Sequence, residues 1–202
     1  MNERITLPTD LSRYRGFIFD CDGTLAETMP AHFVAWKRAL LAGGARFEFT
    51  WELFVSRAGM SMERTVMELG AQFDQEIDPH VVARAQREAF SELRSEVEPV
   101  AEVLSFARKI AQTAPVSVAS GSSRASVDAT LRQIRALDLF EIIVTPEDVR
   151  NGKPHPEMFH LAAAKMGIPS SECLVFEDGT LGVEAARRAG MDWVFVSEPP
   201  TI

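Results

Sequence analysis

An apolar run that ends in two acidic residues occupies positions 17–25, where the sequence reads FIFDCDGTL. The segment Gly16 to Phe19 is long enough for a short buried strand, and the Gly and Thr that follow favour a sharp turn. Asp20 and Asp22 are two residues apart, so in an extended chain their side chains point the same way. Two carboxylates this close repel each other, and a hard divalent cation such as Mg²⁺ would neutralise them. The pattern indicates phosphate chemistry, although Asp-x-Asp-Gly is also consistent with an ordinary turn.

The same acidic segment does not match an EF-hand calcium loop. That loop requires Gly at its sixth position and Glu at its twelfth. Counted from Asp20, those positions hold Leu25 and Ala31. We therefore exclude a calcium loop of this type.

Length and composition limit the class of protein. A chain of 202 residues can bury one good core, with room for a smaller second unit. Its composition, 46% hydrophobic and 25% charged, is that of a soluble globular protein. The formal net charge of −8 argues against broad attraction to nucleic acid or to an anionic membrane. An acidic protein that handles a phosphate needs local groups for it, such as a bound cation, a few basic side chains and backbone N–H groups.

Several features of the sequence favour a cytoplasmic protein. It contains no apolar run of the length that a membrane span requires, and its first residues lack the apolar region of a signal peptide. Cys21 and Cys173 lie beside apolar, strand-like runs and have no Cys-x-x-Cys partner, which predicts buried, reduced thiols. We take a monomer as the expected state.

From Pro99 onward, segments with helical and strand-like patterns alternate. The strand-like runs are short and apolar, and the segments between them carry apolar residues at helical spacing. This alternation predicts an α/β fold, a Rossmann-like doubly wound parallel sheet with helices on both faces. The predicted strands after the first are 116–119, 141–145, 173–176 and 193–196, and the predicted helices are 100–110, 127–134, 157–166 and 180–189.

The segment 29–97 interrupts this alternation, because its patterns are helical throughout. The dipeptide Asp78-Pro79 has the form of a helix cap followed by a first turn. An insert this long exceeds an ordinary crossover, so we expect a helical cap domain at 29–97 and an α/β core domain at 1–28 and 98–202. Helices that simply cover one sheet face are the alternative. The predicted helices are 31–41, 51–57, 62–73 and 79–97.

Chemically reactive residues follow the predicted strands where each strand ends. The carboxyl ends of parallel strands share one edge of a sheet, and ligands bind at that edge. The fold would therefore bring together a carboxylate nucleophile, a hydroxyl group, a lysine and further acids, which are the groups that phosphoryl transfer requires. The residues concerned are Asp20 and Asp22 after the first strand, Ser120, Gly121 and Ser122 after the second, Lys153 after the third, and Glu177 and Asp178 after the fourth.

Each of these groups also has a purely structural interpretation. Ser120 or Ser122 has the residue type of a helix N-cap, and Lys153 is consistent with a solvated cation in a loop. Glu177 and Asp178 would interact favourably with the dipole at the start of the next helix. The conjunction of all four groups at one sheet edge favours a functional site.

These four motifs, in this order, closely resemble those of the haloacid dehalogenase superfamily of phosphohydrolases. The helical insert matches the cap of the β-phosphoglucomutase-like branch, and segments 78–80 and 97–99 are similar to the fructose-1-phosphate phosphatase-like branch. The resemblance spans nearly the whole chain and implies the core fold of that superfamily. The matching motifs are Asp20-Cys21-Asp22-Gly23-Thr24, Ser120, Lys153 and Glu177-Asp178.

The resemblance also implies a role for each motif. Asp20 would be the nucleophile that forms an aspartyl-phosphate, and Asp22 the general acid and then the general base. Lys153 and Ser120 would hold the phosphoryl oxygens. The implied Mg²⁺ ligands are Asp20, the Asp22 backbone carbonyl, Asp178 and, directly or through water, Glu177. The residues expected to bind substrate are Thr24, Gly121, Glu27, His32 and Arg64.

One departure from the family pattern separates two reactions. The mutase branch holds the second phosphate of its intermediate with a cap arginine in a Gly-x-Ser-Arg segment, and this chain has Gly59-Met60-Ser61-Met62 there. Because a thioether cannot replace a bidentate phosphate donor, we favour a phosphatase for a small sugar phosphate, with Arg57 or Arg64 as a candidate substitute. The alternatives are a β-phosphoglucomutase-type phosphomutase and a non-catalytic module that binds phosphorylated metabolites.

Overall fold

The computed structural model describes residues 4–57 and 60–197. The chain divides into two compact units. The α/β unit contains the chain up to Glu27 and from Glu98 onward, and the helical unit spans Thr28–Val97. Among the helices in the described residues, none has the length and apolar character needed to cross a membrane.

Polar side chains cap the N-termini of several helices in the helical unit. Thr50 accepts a hydrogen bond from the backbone N–H of Leu53, and Ser61 accepts one from Arg64. The predicted cap at Asp78 is confirmed, since its carboxylate accepts from two backbone N–H groups of the first turn. The helices are α1 (Met29–Ala42), α2 (Trp51–Val55), α3 (Met62–Phe73) and α4 (Pro79–Leu93).

The prediction of one helix over 79–97 is wrong at its end. The helix α4 stops at Leu93, a 3₁₀ turn covers Arg94–Glu96, and Val97 is extended. The sequence continues Glu98-Pro99, and a proline disfavours helical backbone in the residue before it. The helix α2 likewise ends at Val55 and does not reach the predicted residue 57.

A parallel sheet forms the centre of the α/β unit. Its strands lie in the order β3-β2-β1-β4-β5, and all pairings are parallel. The predicted strands are confirmed, and their ends differ from the prediction by at most one residue. The strands are β1 (Gly16–Phe19), β2 (Val116–Ala119), β3 (Ile142–Val144), β4 (Cys173–Glu177) and β5 (Asp192–Phe195), and the helices of this unit are α5 (Ala101–Ile110), α6 (Arg124–Gln133), α7 (Glu157–Met166) and α8 (Thr180–Arg188).

Large apolar side chains cover both faces of β1. On one face, the Phe19 ring stacks on Phe176 with a centroid distance of 4.7 Å, and Phe17 meets the edge of Phe106 at 5.8 Å. Ile18 points to the opposite face, where it belongs to a buried cluster with residues of α7 and α8. A strand buried on both faces is typical of a sheet that lies between two layers of helices. This packing fixes the carboxyl end of β1, where the acidic residues begin.

Candidate active site

The order in which the chain adds strands to the sheet reverses at the neighbouring strands β1 and β4. The strands β2 and β3 extend the sheet on one side of β1, and β4 and β5 extend it on the other. Folds of this type bind ligands at the carboxyl edge of the sheet, beside the point where the strand order reverses. Asp20 stands at this edge, and its backbone N–H donates to the carbonyl of Phe176 at 2.9 Å.

Lys153 joins the acidic residues of the two loops. Its Nζ atom lies 2.7 Å from Oδ1 of Asp20 and 2.5 Å from Oε1 of Glu177. The side chains of all three residues are less than a tenth exposed. The interpretation of Lys153 as a solvated loop cation is therefore wrong, because the ammonium group is buried between two carboxylates.

Two glycines make room for the carboxylates. A Cβ atom at Gly23 would lie 2.0 Å from Oδ2 of Asp178, and Gly23 has a φ of +82°, which favours glycine. In α8, a Cβ atom at Gly182 would lie 1.7 Å from Oε1 of Glu177. The other carboxylate oxygen of Glu177 accepts the backbone N–H of Gly179 at 2.8 Å. Both positions thus need glycine so that backbone can approach an acidic side chain closely.

Burial and mutual repulsion shift the ionisation of this cluster. Ligand atoms of Asp20, Glu177 and Asp178 all lie within 4.8 Å of one another. Burial raises the pKa of Asp20 to about 7, against the opposing effect of Lys153 and with a further rise from Glu177. Burial, followed by the charges of Glu177 and Asp20, raises the pKa of Asp178 well above its usual range.

The protonated form of Lys153 is correspondingly stabilised. Burial alone lowers the pKa of Lys153, but the charges of Asp20 and Glu177 outweigh burial, and the net pKa is raised. Lys153 therefore stays protonated among three carboxyl groups. One ammonium balances only one of the three negative charges that full ionisation would create, so the cluster has the oxygen donors and the charge to hold a divalent cation.

The loop between β2 and α6 carries the predicted hydroxyl group. Ser120 is almost fully buried, its N–H donates to the carbonyl of Val144 at 3.0 Å, and its Oγ accepts the N–H of Ser122 at 3.1 Å. The N-cap of α6 is Ser123, which accepts from the N–H of Ser126. The interpretation of Ser120 or Ser122 as the helix cap is therefore wrong.

Gly121 lies three residues before α6, which begins at Arg124, so its backbone N–H group is not part of the first turn of that helix. Its contact with a substrate stays a prediction. Sequence reasoning also missed a contact across the site. The hydroxyl of Ser122 donates to Oδ2 of Asp22 at 2.6 Å, and a separation of 100 residues leaves no pattern in the sequence from which to find it.

Thr24 and Glu27 lie on the chain that leaves the first motif. Thr24 is fully buried, and its hydroxyl donates to Oδ1 of Asp178 at 3.4 Å. The carboxylate of Glu27 forms an ion pair with Arg4. Both side chains thus have partners within the protein, and their contact with a substrate stays a prediction.

Arg4 is a second residue that sequence reasoning missed. Besides Glu27, its guanidinium contacts the carbonyl of Ser197 at 2.6 Å and the carbonyl of Gly23 at 3.4 Å. Its side chain is only 16% exposed. Arg4 therefore ties both ends of the described chain to the turn after β1.

The remaining predicted substrate residues belong to the helical unit. The His32 ring stacks on Phe90 with a centroid distance of 3.8 Å, and its Nδ1 lies 3.1 Å from Nε2 of Gln86. Arg64 is largely exposed and pairs with Glu68 one turn along α3, with a distance of 2.8 Å from Nε to Oε1. Their contact with a substrate stays a prediction.

The family can be assigned by comparison with known proteins. Residues 14–190 match the model of the haloacid dehalogenase-like hydrolase family. The chain belongs to this family. The predicted membership and the predicted core fold are thereby confirmed.

Similar proteins include one named as a phosphatase and one named as a mutase. The chain is 34% identical to fructose-1-phosphate phosphatase YqaB of Escherichia coli (strain K12), over 91% of this chain and 97% of the relative. It is 28% identical to β-phosphoglucomutase of Bacillus subtilis (strain 168), over 91% of this chain and 84% of the relative. Among solved structures, a hydrolase from Pseudomonas syringae superposes with a TM-score of 0.77 at 27% identity, covering 89% of this chain and 83% of that one.

Replacing Gly23 with alanine tests the close approach of Asp178. We expect Gly23→Ala to weaken Mg²⁺ binding at least tenfold in calorimetric titrations, because the new Cβ atom displaces the Asp178 carboxylate. The matched control is Gly190→Ala, since Gly190 also has a positive φ of +70° but a Cβ atom there would meet no atom of the described residues within 4 Å. Both variants should lose about 1–2 kcal/mol of folding stability from backbone strain, and Gly190→Ala should bind Mg²⁺ normally. Equal Mg²⁺ affinity in the two variants would contradict the account.

Replacing Arg4 tests whether its contacts with Gly23, Glu27 and Ser197 stabilise the fold. We expect Arg4→Ala to lower the free energy of unfolding by about 1.5–3 kcal/mol, because the partly buried Glu27 carboxylate and the carbonyls of Gly23 and Ser197 lose their charged donor. Urea denaturation measures the loss. The control is Arg15→Ala, which removes an exposed pair with Glu172 and should cost less than about 1 kcal/mol. Similar losses in the two variants would show that Arg4 is an ordinary surface residue.

Proposed function

We propose that this hydrolase is a Mg²⁺-dependent phosphatase that hydrolyses a small sugar phosphate through an aspartyl-phosphate on Asp20. The observation that carries the proposal is the position of the Asp20 carboxylate. It lies at the carboxyl edge of the sheet, 2.7 Å from the Lys153 ammonium and within 4.8 Å of the Glu177 and Asp178 carboxylates. The relative named as a fructose-1-phosphate phosphatase supports this reaction and this class of substrate.

The acidic cluster fits a magnesium ion. Mg²⁺ prefers oxygen ligands and is bound in proteins by one or two carboxylates together with water and phosphate oxygens. Asp20 and Asp178 would supply carboxylate oxygens, and the backbone carbonyl of Asp22 a third ligand. Glu177 would act directly or through water, since its two oxygens already accept hydrogen bonds from Lys153 and Gly179. When bound, the ion would neutralise charge on the phosphoryl group and orient it toward Asp20.

In the first half of the reaction, an oxygen of Asp20 attacks the phosphorus atom. A bond forms between Asp20 and phosphorus while the bond from phosphorus to the sugar oxygen breaks. Asp22 gives its proton to the departing oxygen, so the sugar leaves as an alcohol. Lys153 and the Ser120 hydroxyl hold the phosphoryl oxygens and reduce their repulsion from the Asp20 carboxylate.

In the second half, water attacks the phosphorus atom of the aspartyl-phosphate. Asp22, now ionised, takes a proton from that water. The bond between phosphorus and Asp20 breaks, which releases inorganic phosphate and restores both carboxyl groups to their starting forms. Dividing the displacement into two steps matters because uncatalysed hydrolysis of phosphate monoesters is among the slowest reactions for which enzymes are known, with accelerations up to about 10²¹.

We propose that the helical unit is the cap domain of this hydrolase and that it selects the substrate. Its independent apolar core, in which Leu40, Leu69 and Val82 are buried, supports a separate domain over a simple sheet cover. His32 and Arg64 are the cap residues proposed to contact the sugar phosphate. A monomer in the cytoplasm, with no nucleic acid or membrane partner, completes the proposal.

The lack of a cap arginine favours hydrolysis over the mutase reaction. Met62, which occupies the arginine position of the mutase pattern, starts α3 and packs against the apolar core of the helical unit. Gly59 of that segment lies outside the described residues. Arg64 pairs with Glu68, and Arg57 donates to the carbonyl of Leu53 at 3.2 Å. To bind a second phosphate, either arginine would first have to give up the hydrogen bond or ion pair that it makes within the protein.

Two other functions stay as alternatives. The β-phosphoglucomutase of Bacillus subtilis among the relatives supports a sugar phosphomutase as the second candidate. A mutase would depend on a bisphosphate sugar and would release no inorganic phosphate. A non-catalytic module that binds phosphorylated metabolites would bind them without turnover.

The Asp20→Asn substitution tests the nucleophile. It removes the attacking carboxylate and keeps the volume of the side chain, so we expect phosphate release from fructose 1-phosphate to fall at least about 10³-fold. The control is Asp138→Asn, the same chemical change at an exposed residue just before β3 and hence at the opposite edge of the sheet. A colorimetric assay of inorganic phosphate measures both variants, and circular dichroism checks that both are folded. Retained turnover in Asp20→Asn would exclude the covalent scheme.

A substrate panel with and without metal tests the reaction itself. We expect steady release of inorganic phosphate from at least one sugar monophosphate in Mg²⁺, loss of more than nine-tenths of that rate in EDTA because the acidic cluster loses its cation, and recovery when Mg²⁺ is added back. Glucose and fructose phosphates are compared with nucleoside monophosphates. Activity that needs added glucose 1,6-bisphosphate would favour the mutase, binding without turnover would favour the module, and full activity in EDTA would contradict the metal site.

A further inference from the structure

The hydroxyl of Ser122 contacts the carboxylate of the predicted general acid. Its Oγ atom donates to Oδ2 of Asp22 at 2.6 Å, a distance at the short end of the range for hydrogen bonds between two oxygen atoms. The two residues come from different loops, one after β1 and the other after β2. The contact therefore links the loop of the proposed acid to the loop of the proposed phosphoryl ligand Ser120.

The backbone around Ser122 is fixed on both sides. On one side, the Ser122 N–H donates to Oγ of Ser120, and Ser120 is itself bonded through its N–H to Val144 in β3. On the other side, the next residue, Ser123, caps α6. The Ser122 side chain thus projects from a short, held segment and is not needed to cap the helix.

We propose that Ser122 is a positioning residue that holds the Asp22 carboxyl group beside the phosphoryl-binding loop, ready for proton transfer to the leaving oxygen. The inference rests on the proposed function. A serine hydroxyl suits this role because it both donates and accepts hydrogen bonds, so it can stay bonded to Asp22 before and after the proton has moved.

The step that Ser122 serves is the breaking of the bond from phosphorus to the leaving oxygen. As that bond breaks, its electrons stay on the oxygen, and the proton of Asp22 moves onto it to form the alcohol. Water later returns one proton to Asp22 when it attacks the aspartyl-phosphate. Ser122 gains and loses no atom in either half, since it only fixes where the Asp22 carboxyl group lies.

Substrates with different leaving groups report on this step. Without a proton from Asp22, a sugar would have to leave as a strongly basic alkoxide, whereas p-nitrophenol leaves readily as its anion. Loss of general-acid catalysis therefore lowers kcat/KM, which reports the transfer of the phosphoryl group to Asp20, far more for a sugar phosphate than for p-nitrophenyl phosphate. Hydrolysis of the aspartyl-phosphate, in which Asp22 acts as base, is common to both substrates and does not enter kcat/KM. A defect in folding, in phosphoryl binding or in Asp20 would slow both substrates alike.

The experiment compares kcat/KM of the full-length protein in Mg²⁺ for fructose 1-phosphate and p-nitrophenyl phosphate, with kcat and KM also recorded separately. We expect Ser122→Ala to lower kcat/KM for fructose 1-phosphate by about ten- to a hundredfold, because a misplaced catalytic group loses rate on this scale. We expect a loss of kcat/KM below about threefold for p-nitrophenyl phosphate. Ser122→Thr, which keeps the hydroxyl, should recover most of the rate. The matched control Ser123→Ala removes the neighbouring hydroxyl, which caps α6, and should change both substrates equally.

Asp22→Asn serves as the reference that separates two kinds of failure. If Asp22→Asn shows no preference between the two leaving groups, or if the wild-type protein hydrolyses neither substrate, the proposed function fails and the inference falls with it. If Asp22→Asn shows the preference and Ser122→Ala does not, the proposed function stands and the inference is wrong. An increased kcat/KM in Ser122→Ala, or a change in KM with kcat unchanged, would also overturn it, because Ser122 would then hold Asp22 away from the reaction or bind substrate itself.

Discussion

The buried ammonium group of Lys153 is the contact on which the arrangement of the site depends. It lies between the carboxylates of Asp20 and Glu177, which come from adjacent strands and would repel each other without it. Removing one partner of a buried ion pair typically costs about 3–5 kcal/mol, a large share of the net stability of about 5–15 kcal/mol of a folded domain. The same lysine therefore offsets the repulsion between the buried carboxylates in the folded protein and places a cation beside the proposed nucleophile.

The topology of the sheet explains why these groups meet. The strands β1 and β4 are neighbours although more than 150 residues separate them, so the residues at their carboxyl ends lie side by side at the edge where ligands bind in folds of this type. Glycine at positions 23 and 182 lets backbone come close to the carboxylates of Asp178 and Glu177. Backbone approach, buried charge and strand order thus act together to assemble the acidic cluster of this haloacid dehalogenase-like hydrolase.

The sequence predicted local elements well because their signals are local. The β1 run and the cap at Asp78 depend on neighbouring residues, and both are confirmed. The end of α4 was predicted too far along, because Val97 keeps the helical spacing although the chain is already extended before Pro99. The contacts of Ser122 with Asp22 and of Arg4 with Ser197 were missed, since they join residues 100 and 193 positions apart and single side chains at such separations leave no periodic pattern.

The central claim is that Asp20 accepts the phosphoryl group, and trapping the covalent intermediate tests it most directly. The protein, with Mg²⁺ and fructose 1-phosphate, is quenched within milliseconds in acid and reduced with borohydride, which converts an aspartyl-phosphate to homoserine. Peptide mass spectrometry then locates the modified residue. The account predicts homoserine at position 20, dependent on substrate. Reduction at another acidic residue, or phosphate release with no modified residue at any quench time, would contradict it.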